Sequence, residues 1–472
     1  MRHFITGRTR TGRALALLSA AGIAAAGATV TATSPALAAP ATADAPTRTP
    51  GLSEVFNGYV ISTFTEGRPA TSGEIIDPLL PVSDPFYDEP VLRGDEPVGT
   101  LLRSEPVQVQ FTGFRPGNLK AWRTMFVTAE TDGSRSVSTG ILMVPDDGRD
   151  DATRPVIGYQ EANDSVGPRC HPSTQWTGGD PLDGSSWSAL GPLALMFERG
   201  WAVMISDVGN DAQESPHGVF AGKYASNTML DGVRSAMALE DAGLGPDAPV
   251  GLFGIAGGGV GAGFAAERAA DYVPELDIRG TVLEGMVVDQ RNFFRGSDGS
   301  LGSGFVFATL LGLEPKYPEM DLNSHLTPLG RQIADFYRSQ CQTPAYFTLP
   351  FVPLSALFTD GIPPADIPEF QHVYDDNLLG ADAQGGSAGP AAHAPEDPVL
   401  IASCVADDSP MSLVPAADAR GLADRYRAGG TPVSYQPTDC SMTRLVTDLY
   451  GWGTDLFGMQ TVSWLEAQLD ER

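Results

Sequence analysis

Residues Val250–Glu267 read VGLFGIAGGGVGAGFAAE. An apolar run, Val250–Ile255, ends in glycines and passes into a stretch rich in Gly and Ala. Gly254 and Gly258 stand two before and two after Ala256, the spacing at which a strand turns sharply into a helix. Such a turn leaves no room for Cβ atoms at those positions, which is why it needs glycine there. At its apex a G-x-S-x-G elbow carries a nucleophilic serine; here the apex is Ala256, whose methyl has no proton to lose and no lone pair to attack with. Gly257, next in line, opens the helix whose free N–H groups stabilise a developing oxyanion.

Two other readings fit the same letters. Gly257-x-Gly259-x-x-Ala262 matches a dinucleotide fingerprint, but the acidic residue expected about twenty positions on has no match, since Glu284 lies too far along. A tight strand–helix packing turn with no chemistry is the second.

Outward from this stretch, strand-like and helix-like segments alternate. "PVIGYQ", "WAVMISDV", "GTVLEGM" and "PVLIASCVADD" are short apolar runs of the kind found in buried parallel strands. "WRTMFVTAE" and "VSTGILMVP" form an antiparallel pair ahead of them. "NTMLDGVRSAMALEDAGL" and "AADARGLADRYRAGG" have helical periodicity, the second halted by a glycine pair. This order predicts an α/β fold with a mostly parallel central sheet and helices on both faces.

The rhythm stops over residues 293–395, where aromatic, Leu and Pro residues fall in short helical pieces and "GADAQGGSAGPAAHAPEDP" reads as a linker. The interval predicts a helical cap or lid over a pocket, or an added packing domain. Core segments at 51–292 and 396–472 flank it. Trp201 and the Met and Phe residues near these elements are expected in the core.

At the start, Arg2, Arg8, Arg10 and Arg13 lead into an apolar run from Ala14 to Val30 and the small-residue cut Ala36-Leu37-Ala38. Residues 1–38 are expected to be a secretory signal peptide and 39–50 a flexible leader, which predicts a secreted, extracellular protein. An anchor is the competing reading, disfavoured by the Ala/Gly composition and the cleavage pattern; no later segment is expected to cross a bilayer. The chain has 472 residues and a formal charge of −28, an excess of acid that disfavours nucleic acid and anionic membranes. Cys170, Cys341, Cys404 and Cys440 lack metal spacing and, in an exported protein, suggest two bridges with three possible pairings. Neither a metal nor a cofactor is implied.

Histidine supplies an independent check. In an α/β-hydrolase the triad follows the order Ser, acid, His. The histidines are His3, His171, His217, His325, His372 and His393, and none follows where the base belongs. His171, beside Cys170, is expected in a surface loop.

These features together resemble the secretory lipase family, the lipase-A-like exported triacylglycerol lipases of the α/β-hydrolase superfamily. "FYDEPVLRGDEPVGTLLRSEPV", "NDSVGPRCHPS", "GLEPKYPEMDLNSHLTPLGRQ" and "PVLIASCVADDSPMSLVPAADARGLADRYRAGGTPVSY" are similar to its N-terminal, oxyanion-loop, cap and C-terminal segments. The resemblance puts the nucleophile position at Ala256, the acid at Asp407 (with Asp408 beside it), the base at Cys440 in "PTDCSM", and oxyanion contacts at Asp164 and Gly257. Asp164 resembles an acidic variant of the oxyanion loop, whose glycines are missing from Glu161–Ser165. The acid and base loops must converge in such a fold, which implies a Cys404–Cys440 bridge and leaves Cys170 for Cys341. Asp407 has a structural reading too, as the cap of its own loop.

In a serine protease, loss of Ser or His costs about 10⁶ in turnover, so ordinary lipase activity is not expected. The expected function is a catalytically impaired lipase-like protein that binds a lipid, acyl or ester ligand in a capped pocket. Two alternatives stay open: a carboxylic-ester hydrolase using an unrecognised nucleophile or a base from His325, His372 or His393, and a structural or interaction protein of the cell envelope.

Overall fold

The computed structural model describes residues 67–470 except 81–82, 112, 163–165, 168, 181–182, 211–215, 342–347, 408–412 and 449–457. The expected signal peptide and leader, Asp164 and Asp408 lie outside the described residues.

Nine strands form one sheet: β1 Leu101–Val107, β2 Leu119–Ala129, β3 Arg135–Pro145, β4 Val156–Gln160, β5 Ala202–Ser206, β6 Val250–Ile255, β7 Ile278–Glu284, β8 Val399–Cys404 and β9 Val433–Thr438. Their order across the sheet is β9-β8-β7-β6-β4-β5-β3-β2-β1. β2 and β3 pair antiparallel over their whole length, from Leu119↔Pro145 to Ala129↔Arg135. From β5 to β9 every neighbouring pair is parallel. β1, an antiparallel edge beside β2, carries the mixed and partly exposed residues "LLRSEPV" and had no clear strand signature.

The helices that flank the sheet are α1 Gly184–Glu198, α2 Gly222–Met237, α3 Gly257–Tyr272, α4 Gln290–Ser297, α5 Ser303–Leu313, α6 Pro328–Tyr337, α7 Gln371–Asp376, α8 Ala416–Gly429 and α9 Val462–Asp470, with shorter turns between them. Side chains alternate across the strands, and the two faces feed different cores. Val250 and Leu252 of β6 join Met229 and Val233 of α2 and Val260 and Ala265 of α3. Phe253 and Ile255 point to the other side, among Leu193 of α1 and Trp464 and Leu465 of α9. This period of two within fully buried strands is what layers of helices on both faces require. α8 ends where its glycine pair stops it: Gly430 takes φ +103°, a left-handed conformation that glycine adopts without a Cβ penalty.

Between β7 and β8 lies the helical interval that the broken rhythm predicted. It starts with α4 at Gln290, and its α5, SGFVFATLLGL, is buried at every residue. Phe305, Leu310 and Tyr374 belong to the same apolar core as α2 and α3. Polar ties reinforce the packing. Lys316 reaches Glu130 at the β2–β3 turn (2.8 Å), and Asn377 Oδ1 accepts from the Gly222 amide at the start of α2 (2.7 Å). Among the described residues, no helix is long and apolar enough to cross a membrane.

Candidate active site

The turn from β6 into α3 has the geometry its glycines suggested. Ala256 sits at φ +49°, ψ −115°, a conformation rare for a residue with a Cβ, and its amide donates to the Glu284 carbonyl at the end of β7 (2.8 Å). α3 begins at once with Gly257. A Cβ on Gly258 would collide with the carbonyl oxygens of Gln160 and Glu161, so α3 lies directly against the end of β4. A Cβ on Gly254 would stand 2.5 Å from the Gly258 carbonyl oxygen. The apex itself is partly buried and presents only a methyl.

Asp407 follows β8 and is exposed. Its Oδ1 accepts the backbone N–H of Ala416, the first residue of α8, at 2.8 Å, which satisfies one of the amides a helix start leaves open. Cys440 follows β9 and is bonded to Cys404, with the Cα atoms 5.4 Å apart. Cys170 is bonded to Cys341, across 171 residues of sequence. The structure therefore brings Ala256, Asp407 and Cys440 to the same carboxyl-terminal edge of the parallel strands.

The segment from Glu161, where the resemblance implied an oxyanion loop, has more acidic and more buried surroundings than the sequence suggested. Glu161, 3% exposed, accepts from Trp176 Nε1 at 2.6 Å. Burial pushes its carboxyl up to about 8; the Trp176 bond opposes that shift, and the charges of Asp183 and Asp207 add to it. Asp207, fully buried, accepts from the Ser173 amide (2.8 Å) and from Thr139 Oγ1 (2.6 Å). His171 is not in a surface loop. It is fully buried, with its ring stacked on His217, and burial holds it well below the usual imidazole range. The Cys170–Cys341 bridge beside it and the Asp207 network draw this segment inward. No sequence period marks such a polar cluster, although "SDVGND" at the end of a buried strand was a usable hint.

Beside Gly257 and Gly258 is a space of only about 10 Å³, room for one water, lined by Gln160, Glu161, Pro172, Ser206 and Phe220. Among the described residues, no group of three or more His, Cys, Asp or Glu side chains is placed to hold a metal ion.

Residues 191–472 match the family model for secretory lipases. The chain belongs to the secretory lipase family. Among relatives of this secretory lipase family chain, a "probable inactive lipase" of Mycobacterium tuberculosis is 31% identical over 76% of this chain and 77% of its own length. A secreted triacylglycerol lipase of Malassezia globosa is 30% identical over 56% of this chain and 57% of its own. Among solved structures, Candida antarctica lipase A in its closed state superposes with a TM-score of 0.66, covering 80% of this chain and 86% of that one. At 21% identity that likeness speaks for the α/β-hydrolase fold alone. The structure has the strand–helix turn at Gly254 and Gly258, with Ala256 at its apex and Cys440 held in a disulfide.

Proposed function

We propose that this protein is an exported, non-hydrolysing member of the secretory lipase family that engages an acyl or ester group without cleaving it. The observation that carries the reading is Ala256: the elbow is built, strained backbone included, around a methyl. Nucleophilic acyl transfer needs a deprotonatable atom at that apex and a base to receive its proton. Cys440 offers no base, because its sulfur is committed to Cys404. Of the histidines that follow the elbow in sequence, His325 lies against the Phe370 ring, His372 pairs with Glu319, and His393 lines a cleft beside the far part of α3. The description of the mycobacterial relative as a probable inactive lipase agrees with this reading. Export is supported by the presequence pattern, by two disulfides and by the secreted Malassezia relative.

Ligand binding rests on family kinship and on the apolar helical interval, which in this reading is a cap. Mass spectrometry of organic extracts of the purified protein tests it; recovered acyl lipids support it, and their absence argues for the second reading. In that second reading the chain is a cell-envelope interaction protein whose pocket has closed, and the small space beside Gly257, about 10 Å³, favours it.

A further inference from the structure

Among the described residues, six that are not glycine take a positive φ, and three of them gather at the elbow. Ala256 is its apex. Val208 (φ +58°) follows β5, Phe220 (φ +68°) precedes α2, and both line the small space beside Gly257. A left-handed backbone is an outlier for a β-branched or bulky residue, and such strain collects where a fold holds a site or a switch.

The contacts around Phe220 show what holds it there. The Gly218 amide donates to the Val208 carbonyl (2.9 Å) and His217 Nδ1 to that of Asp207 (2.7 Å), which folds the approach to α2 back onto the end of β5. The helical interval fixes this approach from the other side. Gln290, the first residue of α4, donates from Nε2 to the Phe220 carbonyl (3.1 Å), and Asn377 accepts from the Gly222 amide. α5 presses on the same stretch: a Cβ on Gly312 would stand 2.6 Å from the Val219 carbonyl oxygen. Gln290 is fully buried, yet its Oε1 has no hydrogen-bond partner among the described residues. A buried amide oxygen left unpaired costs stability. The fold thus gives up stability twice, in the backbone and in this side chain, to keep Phe220 in place.

We propose that Phe220 sets what the elbow site admits: held under strain by the helical interval, its side chain takes up the space beside Gly257 that an acyl chain would otherwise enter. This rests on the reading of the site as one that engages an acyl group. It accounts for a built elbow with room beside it for only one water. An apolar cavity on the order of 150 Å³, the scale that a lost aromatic ring opens, takes a ligand of benzene size. Val208, Val219 and Ala225 supply apolar wall for such a cavity.

Calorimetric titration of the full chain with butyl methyl ketone, an ester-sized probe that cannot be hydrolysed, compares the parent with Phe220→Gly and Phe220→Ala. The parent is expected to show no saturable binding. Both variants are expected to bind with a Kd on the order of 1 mM, in keeping with the few heavy atoms of the probe. Phe220→Gly is also expected to melt above Phe220→Ala, since glycine takes a positive φ freely. Binding by the parent as tight as by the variants, folded variants that take no ketone, or Phe220→Ala melting above Phe220→Gly would overturn the proposal. So would failure of both variants to fold, which would make the ring part of the core and not the filling of a site. Lipid extraction from the parent reads the acyl reading separately: acyl lipids recovered alongside ketone-blind variants would leave that reading standing and sink this one.

Discussion

Cys404, the last residue of β8, is disulfide-bonded to Cys440, two residues past the end of β9, with 5.4 Å between their Cα atoms. The bond joins the loop that presents Asp407 to the position at which the family resemblance expected a proton-accepting imidazole. A covalent tie thus occupies a place where acid–base chemistry would need a mobile proton.

The bridge closes a ring over a sequence separation of 36 residues, and loop entropy assigns such a ring roughly 4 kcal/mol. The double substitution Cys404→Ser/Cys440→Ser is therefore expected to lower the urea midpoint and to cost about that much unfolding free energy, with a steeper slope as the released chain expands. An unchanged midpoint would mean that the bridge constrains nothing the fold needs.

Ala256 holds a backbone conformation that suits glycine better than any residue with a Cβ. Ala256→Gly is expected to stabilise the protein by about 1 kcal/mol, the strain relieved outweighing the loss of one partly buried methyl. A lower melting temperature for this variant would show that the methyl is needed for packing.

Glu161 provides a pH dependence with a definite sign. Its folded-state pKa is raised to about 8, whereas an unfolded glutamate ionises near its ordinary value. The folded state then holds the proton longer, so stability falls as pH rises from roughly 4.5 to 8 and levels off above that. Glu161→Gln keeps an acceptor for Trp176 Nε1 and removes the titration. The variant is expected to flatten this slope and to be more stable than the parent at pH 8.5 by a few kcal/mol. Parallel stability–pH curves for the two proteins would refute the assignment.

Restoring the hydroxyl alone is expected to restore nothing. Triad members act as a unit, so Ala256→Ser without a base should hydrolyse p-nitrophenyl butyrate no faster than the parent. Clear turnover by that single variant would reveal a base that none of the contacts described above supplies.

Much of the scaffold was legible in the letters because it depends on local repetition. Apolar runs of five or six residues announced β4 to β8, and Gly429-Gly430 announced the end of α8. The elbow was readable because only glycine fits beside Gln160 and Glu161. β1 was not, since an edge strand with one open side carries no continuous apolar signal. The burial of His171 and the proton-retaining Glu161 were hidden for a different reason: both arise from contacts between segments distant in sequence, such as Asp207 with Ser173 and Thr139. Asp407 was visible as an acid after a strand, but only the bond to Ala416 showed what it holds.

Treatment of the full-length protein with a p-nitrophenyl alkylphosphonate, followed by intact-mass measurement, bears on the chemistry most directly. With a methyl at the apex and no histidine after His393 in the C-terminal core segment, the mass is expected to stay unchanged after prolonged exposure. An added phosphonyl group on any side chain of the cleft would contradict the account and establish a working nucleophile.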